Sequence, residues 1–286
     1  LKVLVLGGGQ IAKAVGAAAP AQHEVAIRTH AQLNIADEKA LAHTLAQVKA
    51  DWVVNAAAYT AVDLAEDEAA QATAVNDTAV AALDRAAARE GARLLHLSTD
   101  FVFDGESRRA YLPADRTNPL SIYGASKLGG ERHVVAGGKG IVLRTSWVYA
   151  ASGKNFVLTM LRLMREKDQI SVVCDQIGAP TWAASAAAAI WGLIDVKAGP
   201  GIYHWTDLGV ASWYDFAVAI QDEALARGLL SRAVPITPIH SSEYPTRAQR
   251  PAFSVLDSAL TRSLLKVPSR HWRHNLRMML DELRAA

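Results

Sequence analysis

Tyr123 and Lys127 stand four residues apart in the run Tyr-Gly-Ala-Ser-Lys. On a helix that spacing puts a phenol and an ammonium on one face, one turn apart. Adding hydride to a ketone leaves an alkoxide that must collect a proton. A phenol with a pKa of about 10 is a poor acid–base group at neutral pH. A lysine cation nearby favours the phenolate, so Lys127 is expected to draw the Tyr123 pKa toward working pH. Thr99 closes the apolar run Leu94-Leu95-His96-Leu97 in Ser98-Thr99-Asp100. Strand ends in an open parallel sheet are where ligands bind, and a hydroxyl there can hold the ketone oxygen beside Tyr123. Taken singly, Thr99 reads as a strand-end hydroxyl capping a turn and Lys127 as an exposed helix lysine. Their order in the chain makes them a candidate catalytic set.

The elements that must position this set follow from periodicity. Val3 to Leu6, Val25 to Ile27, Trp52 to Val54, Leu94 to Leu97 and Ile141 to Leu143 read as buried strands. Helical patterns lie around 11–18, 37–49, 66–89 and 120–135. The alternation predicts an α/β fold, a Rossmann-like doubly wound parallel sheet. Asp37 is placed to cap its helix, and Asn118-Pro119 to open the one carrying Tyr123. Directly after the first strand comes Gly7-Gly8-Gly9-Gln10-Ile11-Ala12, a G-x-G-x-x-A turn. Gly7 permits the tight turn, Gly9 lets backbone approach a pyrophosphate, and the following helix start offers N–H groups to phosphate. No carboxylate follows the second strand until Asp37, whereas Arg28 stands at its end. A guanidinium there can pair with a 2′-phosphate, so NADPH is the expected cofactor and NADH the alternative; the plainer reading of Arg28 is a solvated strand-end residue.

The chain has 286 residues, 51% hydrophobic and 20% charged, with a formal net charge of +2. That balance gives ample core and no bulk electrostatic pointer to nucleic acid or an anionic membrane. The single cysteine, Cys174, cannot form an internal disulfide. Neither a leader pattern nor an apolar run of spanning length is evident, so a cytoplasmic protein without membrane association is expected. After Tyr149 helical pattern dominates, with strands near Ile170 to Val173 and Gly201 to His204. Pro235, Pro238, Pro245 and Pro251 mark an irregular stretch. Residues 1–150 are accordingly assigned to dinucleotide binding, with segments near 170–200 rejoining that unit, and 151–286 to a smaller substrate lobe. The last helix, from Arg270 to Leu283, lines up Trp272, Leu276, Met279, Leu280 and Leu283 for packing or a dimer contact, so a monomer and a homodimer both stay open. His271 and His274 lack a carboxylate or cysteine partner nearby, and no metal site is expected.

Five runs together carry a resemblance: Asn55-Ala-Ala-Ala-Tyr-Thr-Ala-Val-Asp63, Ser98-Thr-Asp-Phe-Val-Phe-Asp-Gly105, Tyr123-Gly-Ala-Ser-Lys127, Arg144-Thr-Ser-Trp-Val-Tyr149 and Asp175-Gln-Ile-Gly-Ala-Pro-Thr181. Over nearly its whole length the chain resembles the dTDP-4-dehydrorhamnose reductase family. The resemblance implies reduction of dTDP-4-dehydro-6-deoxy-L-mannose to dTDP-L-rhamnose. It implies cofactor contacts at Gln10, Ile11, Asn34, Ile35, Ala58, Tyr59, Thr60, Tyr123 and Lys127, and nucleotide-sugar contacts at Thr99, Asp100 and Trp147. Asn155, Gln176 and Arg250 fall in stretches similar to the family's nucleotide-sugar lobe, and Arg250 could pair with the diphosphate. Three departures stand out. The glycine turn is one residue short and ends in Ala12; Leu64 replaces a lysine common after Val-Asp; and the helices that bear magnesium-binding glutamates in some members carry none here. A nucleotide-sugar dehydratase would need a glutamate directly after Asp100, where this chain has Phe101. An epimerase with retained cofactor and a non-catalytic dinucleotide-binding subunit are the remaining rivals.

Overall fold

The computed structural model describes residues 1–265 and 267–285. The chain runs β1 (Lys2–Leu6), α1 (Gln10–Ala17), β2 (Glu24–Arg28), α2 (Glu38–Val48), β3 (Trp52–Asn55), α3 (Ala69–Thr73), a π-helical turn (Ala74–Thr78), α4 (Ala79–Arg89) and β4 (Arg93–Thr99). It continues through α5 (Ile122–Gly137), β5 (Ile141–Thr145), β6 (Val148–Tyr149), α6 (Phe156–Glu166), β7 (Ile170–Val173), β8 (Ile177–Gly178), β9 (Thr181–Trp182) and α7 (Ala183–Asp195). Last come β10 (Gly201–His204), β11 (Ala211–Ser212), α8 (Trp213–Leu225), β12 (Ile236–Ile239), α9 (Ala259–Leu264) and α10 (Trp272–Ala285).

Six strands form one parallel sheet in the order β2-β1-β3-β4-β5-β10. Their apolar runs are unbroken because both faces are covered. On one face Val15 of α1 meets Ala186, Ile190 and Trp191 of α7. The alanines keep α7 thin enough to lie close, and Trp191 Nε1 reaches the Val15 carbonyl at 3.0 Å. On the other face Leu41 and Leu45 of α2 pack with Val80 and Leu83 of α4 and Val134 of α5. Strand order reverses between β1 and β3, so a crevice opens beyond their carboxyl ends.

Beyond the sheet a further core gathers Tyr149, Val157, Met160, Phe216, Ile220, Leu276, Met279 and Leu280. The apolar face of α10 is spent there, with Trp272, Leu276, Met279 and Leu280 all buried within the chain. Among the described residues no helix is long and apolar enough to cross a membrane.

Two helix expectations change. The helix bearing Tyr123 begins at Ile122, not at Asn118-Pro119. The Ser121 hydroxyl accepts from Gly124 N–H at 3.1 Å and caps it there, which leaves Pro119 in the preceding loop. The 66–89 stretch is not one regular helix but α3 and α4 joined by the π turn. Asp37 does cap α2, accepting from Lys39 and Ala40 N–H at 3.1 and 3.0 Å.

Candidate active site

The glycine turn lies in the crevice at the reversal point. Gly7 has φ +124°, and a Cβ there would sit 2.9 Å from the Ala56 carbonyl carbon. Only glycine lets the tips of β1 and β3 come this close. A Cβ on Gly9 would meet nothing within 4 Å, so the turn is open on that side. Gly9 caps α1 without a side-chain bond, which leaves first-turn N–H groups free of side-chain partners at the positive end of the helix. Ending the turn in Ala12 is no obstacle to packing, since Ala12 is buried against the sheet.

The remaining residues expected at a cofactor lie at the end of β2 and in the loop after it, after β3 and at the start of α1. Arg28 closes β2, its carbonyl accepting from Gly7 N–H at 2.9 Å and its guanidinium donating to the Ile27 carbonyl at 3.0 Å. Asn34 is exposed and folds its side chain onto Ala36 N–H, while Ile35 is buried. Ala58, Tyr59 and Thr60 follow β3. Asn76, on the π turn, clamps the Tyr59 backbone by accepting from its N–H at 2.9 Å and donating to its carbonyl at 3.0 Å. The extra residue of a π turn is thus what aims Asn76 at this loop. Gln10 turns toward the lobe, donating to the Lys154 carbonyl and accepting from Asn155 Nδ2 at 3.0 Å. Asn155 also caps α6 through Leu158 N–H, so its side chain is largely committed.

Thr99, Asp100 and Tyr123 converge at the tip of β4, while the Lys127 amine turns to the β4 backbone. Gly124 is necessary for this: a Cβ there would lie 2.3 Å from the Phe101 carbonyl oxygen, so the start of α5 presses directly on the chain leaving β4. Phe101 meets the Tyr123 ring edge-on at 5.7 Å. Burial pushes the Tyr123 pKa up to about 12; contact with the Thr99 hydroxyl works against this and the Asp100 charge adds to it. The expected lowering by Lys127 is therefore absent, because the Lys127 amine points away from the phenol, donating to the Leu97 carbonyl at 2.6 Å and lying 3.2 Å from His96 Nε2. Burial brings Lys127 down to about 8, with Glu131 pulling the other way. Asp100 is buried; Thr99 donates to its Oδ1 at 3.1 Å and the Ser254 side chain lies beside the carboxylate, while among the described residues Oδ2 makes no hydrogen bond of good geometry. Burial raises its pKa to about 6.

A small cavity of about 30 Å³ next to this set is bounded by Phe101, Trp147, Trp213, Pro251 and Ser254, among others. Trp147 has φ +48°, a costly conformation for a bulky residue. It lies flat on Trp213, with centroids 3.5 Å apart and planes 4° from parallel. Gln176 and Arg250 border both this space and a cavity of about 850 Å³ between α6, β7 and the 241–250 loop. That volume suits a nucleotide-sized ligand. Gln176 bridges Trp213 Nε1 and Ser241 Oγ. Arg250 is paired with Asp63, its NH2 group 2.6 Å from Oδ2.

Sequence reasoning overlooked Trp213, Ser254 and the Glu131–Arg144 pair. Only Glu131 had left a signal, because it continues the four-residue ladder Tyr123, Lys127, Glu131 along one face of α5.

The fold is that of the short-chain dehydrogenase/reductases. More narrowly, the chain matches the RmlD substrate binding domain over residues 1–285 and belongs to that family. A dTDP-4-dehydrorhamnose reductase from Burkholderia thailandensis is 40% identical, with 99% of each chain covered. The crystal structure of a dTDP-4-dehydrorhamnose reductase from Clostridium acetobutylicum has TM-score 0.93 at 35% identity, covering 99% of this chain and 100% of that one. Another from Bacillus anthracis, solved in complex with NADP, has TM-score 0.93 at 31% identity, covering 98% and 99%.

Proposed function

We propose that this protein reduces dTDP-4-dehydrorhamnose to dTDP-L-rhamnose with NADPH. The observation that carries the reading is the meeting, at one strand tip, of Thr99 and Tyr123 with the opening toward the large cavity. Gly7, Gly9 and the first turn of α1 would hold the cofactor pyrophosphate, and Arg28 its 2′-phosphate. When bound, the cofactor supplies hydride to the ketone carbon. Thr99 holds the ketone oxygen and Tyr123 gives it a proton. A phenol at about 12 is fully protonated at neutral pH, the loaded state that a reduction needs. Asp100 Oδ2, buried and without a hydrogen bond among the described residues, accepts a sugar hydroxyl, and the Trp147 face packs against the apolar side of the ring. The thymidine diphosphate extends past Gln176 and Arg250 into the large cavity.

NADPH oxidation with the dTDP-4-keto sugar tests this. Tyr123→Phe should lower kcat by about 10²-fold or more with substrate binding largely kept. Oxidation of NADPH in step with sugar consumed separates a reductase from an epimerase, which uses none. Turnover by the variant at the wild-type rate would overturn the assignment of the proton donor.

A further inference from the structure

Beneath α5 lies a dry polar chain that the reaction as described leaves idle. Asn55, His96 and Lys127 are all buried, and Asn55 and His96 are register partners on β3 and β4. Asn55 Oδ1 accepts from Ala57 N–H at 3.2 Å, which turns its Nδ2 toward His96 Nδ1 at 3.0 Å. On the far side of the ring, Nε2 faces Lys127 Nζ.

A count of protons along this chain gives an awkward result for a charged lysine. The Asn55 amide offers N–H to Nδ1, so Nδ1 must present its lone pair. A neutral imidazole then carries its proton on Nε2, aimed at Lys127. An ammonium has three donors and no acceptor, so it would meet Nε2–H donor against donor. A neutral amine has a lone pair, and every bond is then made. Turning the Asn55 amide over only moves the conflict, since its NH2 group would face Ala57 N–H. Charging Lys127 thus forfeits one buried hydrogen bond whichever way the amide points.

We propose that Asn55 and His96 act together as positioning residues that ease the loss of a proton from Lys127 in the free protein. The proposal rests on the reading of Tyr123 as the proton donor, one helical turn from Lys127. The other groups facing the lysine are already engaged. Glu131, one turn along α5, is held by Arg144 of β5 and Ser98 of β4. Tyr123 and Asp100 lie at the strand tip. Burial drives the His96 pKa well below 6.5, the Lys127 charge adding to it, which agrees with a neutral ring.

Asn55→Asp supplies two acceptors. One keeps Ala57 N–H, the other takes a proton on Nδ1, and Nε2 is left to accept from an ammonium. His96→Gln supplies an acceptor to Lys127 without adding charge. In both variants the Lys127 amine, followed by NMR of its side chain, should lose its proton about one pH unit higher. Nitrogen NMR of the ring should find the proton on Nε2 in the wild type and on Nδ1 in Asn55→Asp. A wild-type Nδ1 proton overturns the proposal, and so does a Lys127 titration that stays in place in folded His96→Gln. If Tyr123→Phe retains full activity, the catalytic reading falls while the tautomer measurement stands; an Nδ1 proton alongside an inactive Tyr123→Phe removes this inference alone.

Discussion

Two sets of charges flank the cleft in opposite surroundings. Behind α5, Glu131 and Arg144 have side chains only 2% exposed. The guanidinium meets both carboxylate oxygens at 2.9 and 2.6 Å, and Ser98 donates to the same carboxylate. Across the mouth, Arg250 and Arg247 of the 241–250 loop pair with Asp63 and Asp67 beyond β3, where Asp63 is 44% exposed. A charge pair in a dry layer fixes geometry, because losing one partner strands the other out of water. The same pair in water contributes little and exchanges readily. The buried set therefore holds α5 against β4 and β5 beneath the reacting groups. The exposed set is a fastening that, under the proposed function, a diphosphate would replace on Arg250.

The sharpest way to break this contrast is to remove one buried partner. Glu131→Gln should destabilise the fold by about 3–5 kcal/mol, because Arg144 is left charged and uncompensated. Replacing both, as Glu131→Leu with Arg144→Met, should recover most of that loss. Urea unfolding midpoints read both effects. A single variant within about 1 kcal/mol of wild type would mean that the pair is not a structural anchor.

How far this division was legible in the sequence depends on where each contact comes from. The strands were, since buried parallel strands read as unbroken apolar runs, and so was the Tyr123–Lys127 spacing on one helix face. The start of α5 was misplaced because Asn118-Pro119 imitates a helix opening, whereas the Ser121 hydroxyl does the capping. The π turn was hidden, as one extra residue barely disturbs a helical pattern. The direction of the Lys127 amine depends on a carbonyl and an imidazole on β4, thirty or so residues away. Asp63 and Arg250 are 187 residues apart, and no periodicity reports a contact of that kind. Trp213 likewise reaches Trp147 only through the folding of the lobe.

A smaller effect sharpens the picture between the two extremes. A Cβ at Gly178 would lie 2.5 Å from the Trp147 ring. Gly178→Ala should therefore push that strained tryptophan toward the cleft. KM for the nucleotide sugar should rise about tenfold, with the stability of the sheet unchanged, as misplacement of a binding face costs affinity steeply. Steady-state kinetics beside thermal unfolding check this, and an unchanged KM would remove Trp147 from the substrate surface.

The smallest effect belongs to the exposed fastening. Asp63→Asn should change stability by less than about 1 kcal/mol and lower KM for the nucleotide sugar about two- to fivefold, because Arg250 no longer has a competing carboxylate. The gain should shrink at high salt, where exposed charges are screened. Its pH dependence has a definite sign. The hydrogen bond from Arg250 holds Asp63 below the ordinary carboxylate value of 3.8, against the opposing effect of burial. The fastening is then complete above that value and is lost only as the pH falls through the lower folded one. Across neutral pH the wild type and Asp63→Asn should differ by a constant factor. A KM that rises in the variant at low salt would instead make Asp63 a support for Arg250, and the contrast between dry anchor and wet fastening would fail at its wet end.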